Sequence, residues 1–516
     1  MTSSRRLDWR FLLPHPPGGF DHLVLLGGNA TLAALAAELG VARRVSLSLA
    51  VADRADLVAV LGGRWEDPHR VAAALMPGGV WYWEIDRRSA PRAPAATARR
   101  LATAGLMTSA MYWIRGGFAH PRMFLPLDRD AALAWYFENI FRTPSGWRRV
   151  LRAGLRILTR WQGPRLGRLV RRYALVGAGG QPPSVLGVAG TAVGDDPRPL
   201  VVLGGEGDWS RVTLVPFAAQ RDTPRTVVKV ARRPAFSART AHEQSLLGQL
   251  RACTPAWLQE SIPQPLGFHE WHGHGVGVES CAAGKPLHSE ALKGGAGAVQ
   301  RLSEAAAWLT AFHQTTQRTR LHGEALQERI VRAPLAGYET AFGLERDEAL
   351  LFARARSHAE GIAGADLPIA VQHGDFGPWN VFRNGGKVTV VDWEAAHEGP
   401  GLCDLLYFVM HWEAASRPHT MTHRVRRLAL PLSLPRTDPL AEAARCELLR
   451  YMGRLGIAER LHPHVVLYTL VEQALERVAR LREQGDPRAT DRASNPYVSR
   501  VVALARDANG LFPEAS

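Results

Sequence analysis

The sequence predicts an α/β domain followed by an α+β region that opens with a small antiparallel sheet and continues mainly as helices. Three observations carry this prediction. From His22 to Ile85, short apolar runs alternate with segments of helical spacing. A Gly- and Pro-rich stretch without periodicity, Gly177 to Ser184, interrupts that pattern. Beyond it, three strand-like runs precede a long helical part, inside which two aspartates and an asparagine stand at the ends of short apolar runs. The expected divisions are 1–180, a linker over 181–195, a small lobe over 196–287 and a helical lobe over 288–516.

A chain of 516 residues with 46% apolar content has room for two or three domains with sizeable cores. No uncharged apolar run approaches the roughly 18 residues needed for a spanning helix. Residues Met1 to Pro17 lack a continuous apolar segment and a small-residue cleavage site, which argues against secretion. The four cysteines, Cys253, Cys281, Cys403 and Cys446, form no Cys-x-x-Cys pair. Reduced thiols, no zinc site and a cytoplasmic setting are the expectation.

The formal charge of +15 comes mostly from arginine. Such a balance suits nucleic acid, an anionic membrane or a phosphate-rich substrate, and also a GC-rich genome that writes Arg for Lys. Trp147 to Arg172 concentrates it: the stretch is rich in arginine, has no acid, and interleaves Leu, Ile, Val and Trp at near-helical spacing. It fits a peripheral membrane or polyanion contact as well as a solvated helix face. No feature reads out a specific nucleic-acid sequence.

In chain order, His22 to Leu26 reads as a buried strand, Gly27-Gly28-Asn29 as a turn, and Thr31 to Leu39 as a helix with Leu32, Leu35, Ala36 and Leu39 on one face. Val45 to Val51 and Asp56 to Leu61 are further strands. His69 to Leu75 is a helix, Met76-Pro77-Gly78-Gly79 a turn, and Val80 to Ile85 a fourth strand. Alternation of this kind implies a parallel sheet with helices on both faces. With Leu75 to Val80 after Ala55-Asp56-Leu57-Val58-Ala59-Val60-Leu61, and Ala104-Gly105-Leu106 ahead of Arg172 to Val176, residues 20 to 180 loosely resemble the class I S-adenosylmethionine-dependent methyltransferases. The resemblance implies a Rossmann-like fold. Two departures imply a degenerate one: the glycines are not spaced as Gly-x-Gly-x-Gly, and Ala50-Val51-Ala52 ends the second strand where that family has an acid for the ribose hydroxyls. A working methyltransferase joined to the later region is the alternative. Residues 115 to 145 form an insertion whose Trp135, Tyr136, Phe137 and Phe141 read as packing residues on a helix.

Past the linker, Leu200 to Leu203, Arg211 to Phe217 and Arg225 to Val230 make the antiparallel sheet. The turn that holds Gly204, Gly205 and Gly207 could close over phosphates, since glycine permits close backbone approach and exposed N–H groups favour anions. Lys229, flanked by Val227, Val228 and Val230, needs an anion. Glu243, fourteen residues on and within a helix beginning near Ala241, is positioned to pair with it.

The most informative stretch is His373-Gly374-Asp375-Phe376-Gly377-Pro378-Trp379-Asn380, followed by Val391-Asp392-Trp393-Glu394. An aspartate, an asparagine five residues on and a second aspartate twelve further can converge on a metal–phosphate group. Lys229, Glu243, the Glu279 to Leu287 segment, Trp308 to His313, this stretch and Asp404 fall in the order and approximate spacing of the aminoglycoside phosphotransferase and choline kinase-like family, over about residues 195 to 480. The resemblance implies a two-lobed protein-kinase-like fold, ATP and Mg²⁺ as cofactors, and a small-molecule hydroxyl as acceptor: a sugar, an aminoglycoside or an amino alcohol. By the same resemblance Asp375 is the catalytic base, Asn380 and Asp392 hold the metal, and Lys229 grips the nucleotide phosphates. The main chain around Glu279 to Cys281 meets the adenine edge, and His373 and Asp404 brace the loop. Trp379 departs from the family, which mostly has a small residue there. A nucleotide-binding regulatory protein with inactive kinase lobes is the alternative reading.

Overall fold

The structure, a computed structural model, describes residues 4–16, 18–49, 54–89, 93–140, 170–178, 181, 183–205, 207–291, 295–416, 438–483, 485–506 and 511–512. Most of the basic Trp147 to Arg172 stretch, together with Phe141, therefore lies outside the described residues. No described helix is long and apolar enough to cross a membrane.

The chain divides into two compact units, Met1–Gly248 with Gln264–Cys281, and Gln249–Pro263 with Ala282–Ser516. The division thus falls elsewhere than at 181–195. The reason lies in the sheet. Strands β1 (Phe20–Leu26), β2 (Ala42–Ser46), β3 (Ala55–Val60), β4 (Leu75–Asp86), β5 (Ala110–Gly116), β6 (Pro121–Pro126), β7 (Arg172–Gly177), β8 (Arg198–Leu203), β9 (Arg211–Phe217), β10 (Thr226–Ala231), β11 (Pro265–Trp271) and β12 (His274–Ser280) form one twelve-stranded sheet. Its order is β11-β12-β10-β9-β8-β6-β5-β7-β4-β3-β1-β2. The expected small antiparallel sheet does not stand alone, because β6 in the insertion pairs with β8, Met123 against Val202 and Phe124 against Val201.

At the other end β2, β1, β3 and β4 run parallel, and β7 enters antiparallel between β4 and β5. Strands β1 and β3 and the later part of β4 are buried on both faces, so they read as continuous apolar runs rather than alternating ones, whereas the edge strand β2 is largely exposed. Leu23, Leu25, Leu57, Ala59 and Tyr82 enter one core, and Val24, Leu26, Val58, Val60, Trp81 and Trp83 the other. The second strand lies earlier than Val45–Val51. Met76 to Gly79, expected as a turn, is the start of β4, with a register shift between Ala55 and Leu57 of β3. The insertion supplies the β5–β6 hairpin as well as the expected helix, Asp130–Asn139.

The first residues also build the core. Ser4–Leu12 is a 3-10 segment that buries Leu7, Trp9 and Phe11 on one face of the sheet. Trp9 stacks on Tyr82 of β4 at 4.8 Å, and Phe11 meets Trp271 of β11 at 5.6 Å. The segment therefore spans from the parallel strands to the antiparallel ones.

The second unit is mainly helical and carries two three-stranded sheets. One contains β13 (Lys285–Pro286), β16 (Val381–Asn384) and β17 (Lys387–Val390), and the other β14 (Thr319–Leu321), β15 (Leu367–Gln372) and β18 (His397–Pro400). Helices Ala296–Thr316, Leu402–Ser416, Pro439–Leu455, His462–Glu483 and Pro496–Ala505 pack around them.

Close approach fixes one residue type in the large sheet. A Cβ on Gly177, at the end of β7, would lie 1.9 Å from Nε1 of the buried Trp81. Gly177→Ala should therefore lower the unfolding free energy by about 1–3 kcal/mol through overpacking, measured by urea denaturation.

Candidate active site

In the second unit, β15 delivers six consecutive buried residues and ends at Gln372, one residue before His373. The chain then turns sharply. Gly374 has φ +76°, and a Cβ there would lie 2.4 Å from the Ala395 carbonyl oxygen, so only glycine fits. The turn is held from behind by Asp404, in the first turn of the Leu402–Ser416 helix. Its carboxylate accepts the His373 amide at 2.6 Å and the Gly374 amide at 3.0 Å. His313 Nε2 lies 3.4 Å from the same carboxylate, and His313 Nδ1 is 2.7 Å from the Tyr451 hydroxyl. Burial acts to raise the Asp404 pKa, but the hydrogen bonds and the charges of His313 and His373 prevail and leave it lowered. Asp404 is thus an ionised brace.

His373 sits between two parts of the loop. Its Nε2 is 2.9 Å from the Val391 carbonyl oxygen, and its Nδ1 accepts the Asp375 amide at 3.2 Å. The ring therefore donates at Nε2 and is committed on both nitrogens. Trp393, fully buried, packs on it at 4.7 Å.

Asp375 is the focus of side-chain donors. Tyr407 donates its hydroxyl to Oδ1 at 2.8 Å, and Asn380 Nδ2 and Trp379 Nε1 donate to Oδ2 at 2.9 and 3.3 Å. Burial nevertheless raises the Asp375 pKa, with the nearby Asp392 charge adding to the rise while Tyr407, His373 and Trp379 oppose it. Since Asn380 spends its amide nitrogen on Asp375, its Oδ1 remains as an oxygen ligand. Asp392 holds a left-handed backbone, φ 71°, a conformation uncommon outside glycine that clusters at functional sites. An amide oxygen and a carboxylate are the hard donors a divalent cation such as Mg²⁺ takes, and a cation beside Asp392 would relieve the repulsion it exerts on Asp375.

In the first unit, Lys229 on β10 is buried, as are Glu243 on the helix Ser237–Cys253 and Glu279 on β12. Lys229 Nζ lies 2.7 Å from Glu243 Oε1 and 3.0 Å from Glu279 Oε1, and Arg211 bonds the other Glu243 oxygen. Burial raises the Glu279 pKa against the attraction of Lys229. Glu279 is paired on both sides within the sheet, with Val227 and Pro265, and contributes its side chain to the Lys229 cluster. The Ser280 and Cys281 amides are also used, donating to the Gln264 and Arg225 carbonyls at 2.9 and 2.8 Å.

Gly204, Gly205 and Gly207 lie between β8 and β9. Gly204 has no room for a Cβ, which would stand 2.7 Å from the Arg211 carbonyl oxygen. Beneath the turn Arg232, fully buried, donates to the Gly205 and Gly207 carbonyls at 2.9 and 2.7 Å. Its charge is met by Asp8, 3.0 Å away and equally buried, and Ser4 bonds Asp208. Sequence reasoning missed Arg232 and Asp8, which are separated by 224 residues and share no local pattern. Tyr407 had a signal: three residues after Asp404 on one helix, it lies on the same face.

Residues 216–443 match the Phosphotransferase enzyme family. Among solved structures, an amicoumacin kinase in complex with AMP-PNP, Ca²⁺ and amicoumacin is 12% identical, with 61% of this chain and 90% of that one covered and a TM-score of 0.38. The aminoglycoside phosphotransferase APH(3'')-Id of Streptomyces rimosus with ADP and streptomycin is 13% identical, covering 56% and 96%, with a TM-score of 0.35. A choline/ethanolamine kinase family protein of Mesorhizobium loti is 16% identical, covering 63% and 93%, with a TM-score of 0.37. A search of curated proteins finds no significant match.

The Asp8–Arg232 pair should behave as a unit. Arg232→Met alone should cost about 3 kcal/mol by leaving the buried Asp8 carboxylate to Arg10 alone, 3.3 Å away, whereas Asp8→Leu combined with Arg232→Met should cost less than the sum of the two single changes. Urea unfolding of the three variants measures the coupling, and additive costs would exclude it.

Proposed function

We propose that the chain is an ATP- and Mg²⁺-dependent O-phosphotransferase acting on the hydroxyl of a small molecule of sugar, aminoglycoside or amino-alcohol type. The observation that carries this reading is the Asp375 carboxylate. It stands at the end of a buried strand with both oxygens oriented by Tyr407, Asn380 and Trp379, and its proton affinity is raised by burial and by Asp392.

Phosphoryl transfer calls for positioning and charge neutralisation more than for covalent chemistry. Asp375 orients the acceptor hydroxyl and takes its proton, and a raised pKa brings it closer to the alcohol it serves. Tyr407 holds the carboxylate in one orientation. Asn380 through Oδ1 and Asp392 through its carboxylate would hold Mg²⁺, which when bound neutralises phosphate charge. Lys229, oriented by Glu243 and Glu279, grips the nucleotide phosphates. Arg232 draws the Gly207 carbonyl inward, and a planar trans peptide whose carbonyl points in turns its N–H, that of Asp208, the other way. That supports a phosphate-binding role for the glycine turn.

We read the parallel part of the large sheet as a degenerate Rossmann-like, methyltransferase-like layer. The antiparallel β7 between β4 and β5 supports it. The turn after β1 is crowded: a Cβ on Gly27 would lie 2.6 Å from the Leu61 carbonyl oxygen, and Glu84 at the end of β4 is closed off by a two-pronged bond to Arg6 at 2.6 Å. Both features speak for a structural role.

Asp375→Asn should lower acceptor-dependent ADP release by roughly 10²–10⁴-fold in a screen of sugars, amino alcohols and aminoglycosides, with ATP binding retained. Turnover equal to wild type would sink the assignment. The rate should also fall as pH drops through the Asp375 pKa, because only the ionised carboxylate accepts a proton. That limb should lie above the usual carboxylate range near ~3.9. Tyr407→Phe removes a bond that favours the ionised form, so the limb should move to higher pH.

A further inference from the structure

A cavity of about 660 Å³ opens at one end of the large sheet, and none of the residues of the candidate active site lines it. Its walls are the tip of the β5–β6 hairpin, the start of β7 and the helix Asp130–Asn139. β5 runs parallel to β4, since both pair antiparallel with β7. The cavity therefore lies at the carboxyl end of β5, on the same edge of the sheet as the carboxyl end of β4.

The lining is one-sided in charge. Arg115, Arg122, Arg171 and Arg172 face it with His120, and no carboxylate is among the described lining residues. Asp86, behind the wall, stands 3.4 Å from Arg171 and 3.8 Å from Arg172, and Arg172 also donates to the Gly116 carbonyl at 2.8 Å, so these two are held in place. The Arg115 guanidinium lies over the Trp113 ring at 5.1 Å and the Tyr136 ring at 5.9 Å. The remaining wall is apolar, with Met123, Ile114 and Ile140. Several guanidiniums are suited to a phosphate by their paired donors, and flat rings with aliphatic neighbours are suited to a planar apolar body.

We propose that this cavity binds an organic phosphate that carries a planar apolar group, the phosphate held by the arginines and the apolar group lodged beside the half-buried Trp113 and Ile140. A nucleotide and an aryl phosphate share that chemistry. The site needs neither Lys229 nor Asp375, so its failure would leave the phosphotransferase reading intact.

The test uses the full chain and calorimetric titration with phenylphosphonate, with inorganic phosphate and benzyl alcohol as part-probes and AMP as the nucleotide source. Phenylphosphonate should bind more tightly than either part-probe. Arg122→Ser should weaken it roughly tenfold, from loss of a charge-assisted contact, with Arg122→Lys intermediate and thermal midpoints unchanged. Lys229→Met should leave it unaltered. AMP bound with the same Arg122 dependence would identify a nucleotide, and AMP bound more weakly than phenylphosphonate a smaller aryl phosphate. Absence of binding, binding indifferent to Arg122→Ser, binding lost in Lys229→Met, or inorganic phosphate bound as tightly as phenylphosphonate would overturn the proposal.

Discussion

The first unit depends on a charge pair buried in its core. Asp8 and Arg232 are both fully excluded from solvent, and a buried pair of this kind is tolerated only when its remaining hydrogen-bonding groups are met. Arg232 meets that condition in part, with Nε on Asp8 and Nη1 on the carbonyls of the glycine turn while Nη2 has no partner among the described residues, so the same guanidinium that pairs with Asp8 also shapes the turn. Because Asp8 belongs to the segment that carries Trp9 and Phe11 across the sheet, the N-terminal residues, the parallel strands and the antiparallel strands are joined around one interaction. One twelve-stranded sheet, rather than two domains with a linker, follows from this and from the β6–β8 pairing.

The second unit is organised by a comparable brace. Asp404 takes two loop amides and the edge of His313, and His373 ties the loop to Val391. Asp375 can then be surrounded by donors without collapsing onto them, since its backbone is fixed from behind. The two units thus use the same device: a buried charge bonded to backbone groups sets the path of a loop.

Much of this was legible in the sequence. His373 to Asn380, Asp392, Lys229 and Glu243 are local signals, set by spacing along strands and helices, and the structure puts Lys229 on Glu243 and Asn380 on Asp375. Strands β9 and β10 were readable because apolar periodicity is a property of neighbouring residues. The turn expected at Met76–Gly79 was misread because Pro and Gly punctuate bulges and strand starts as well as turns.

By itself the sequence pointed to the Lys229–Glu243 pair and to the loop that carries Asp375 and Asn380, because these rest on short-range patterns of side-chain chemistry. Only the tertiary structure decided that Glu279 turns its carboxylate to Lys229, that Arg232 and Asp8 support the glycine turn, and that arginines distant in sequence line one cavity. The reason is physical. These contacts pair residues across tens to hundreds of positions, and their partners are chosen by strand order and register, which no local window of residues contains.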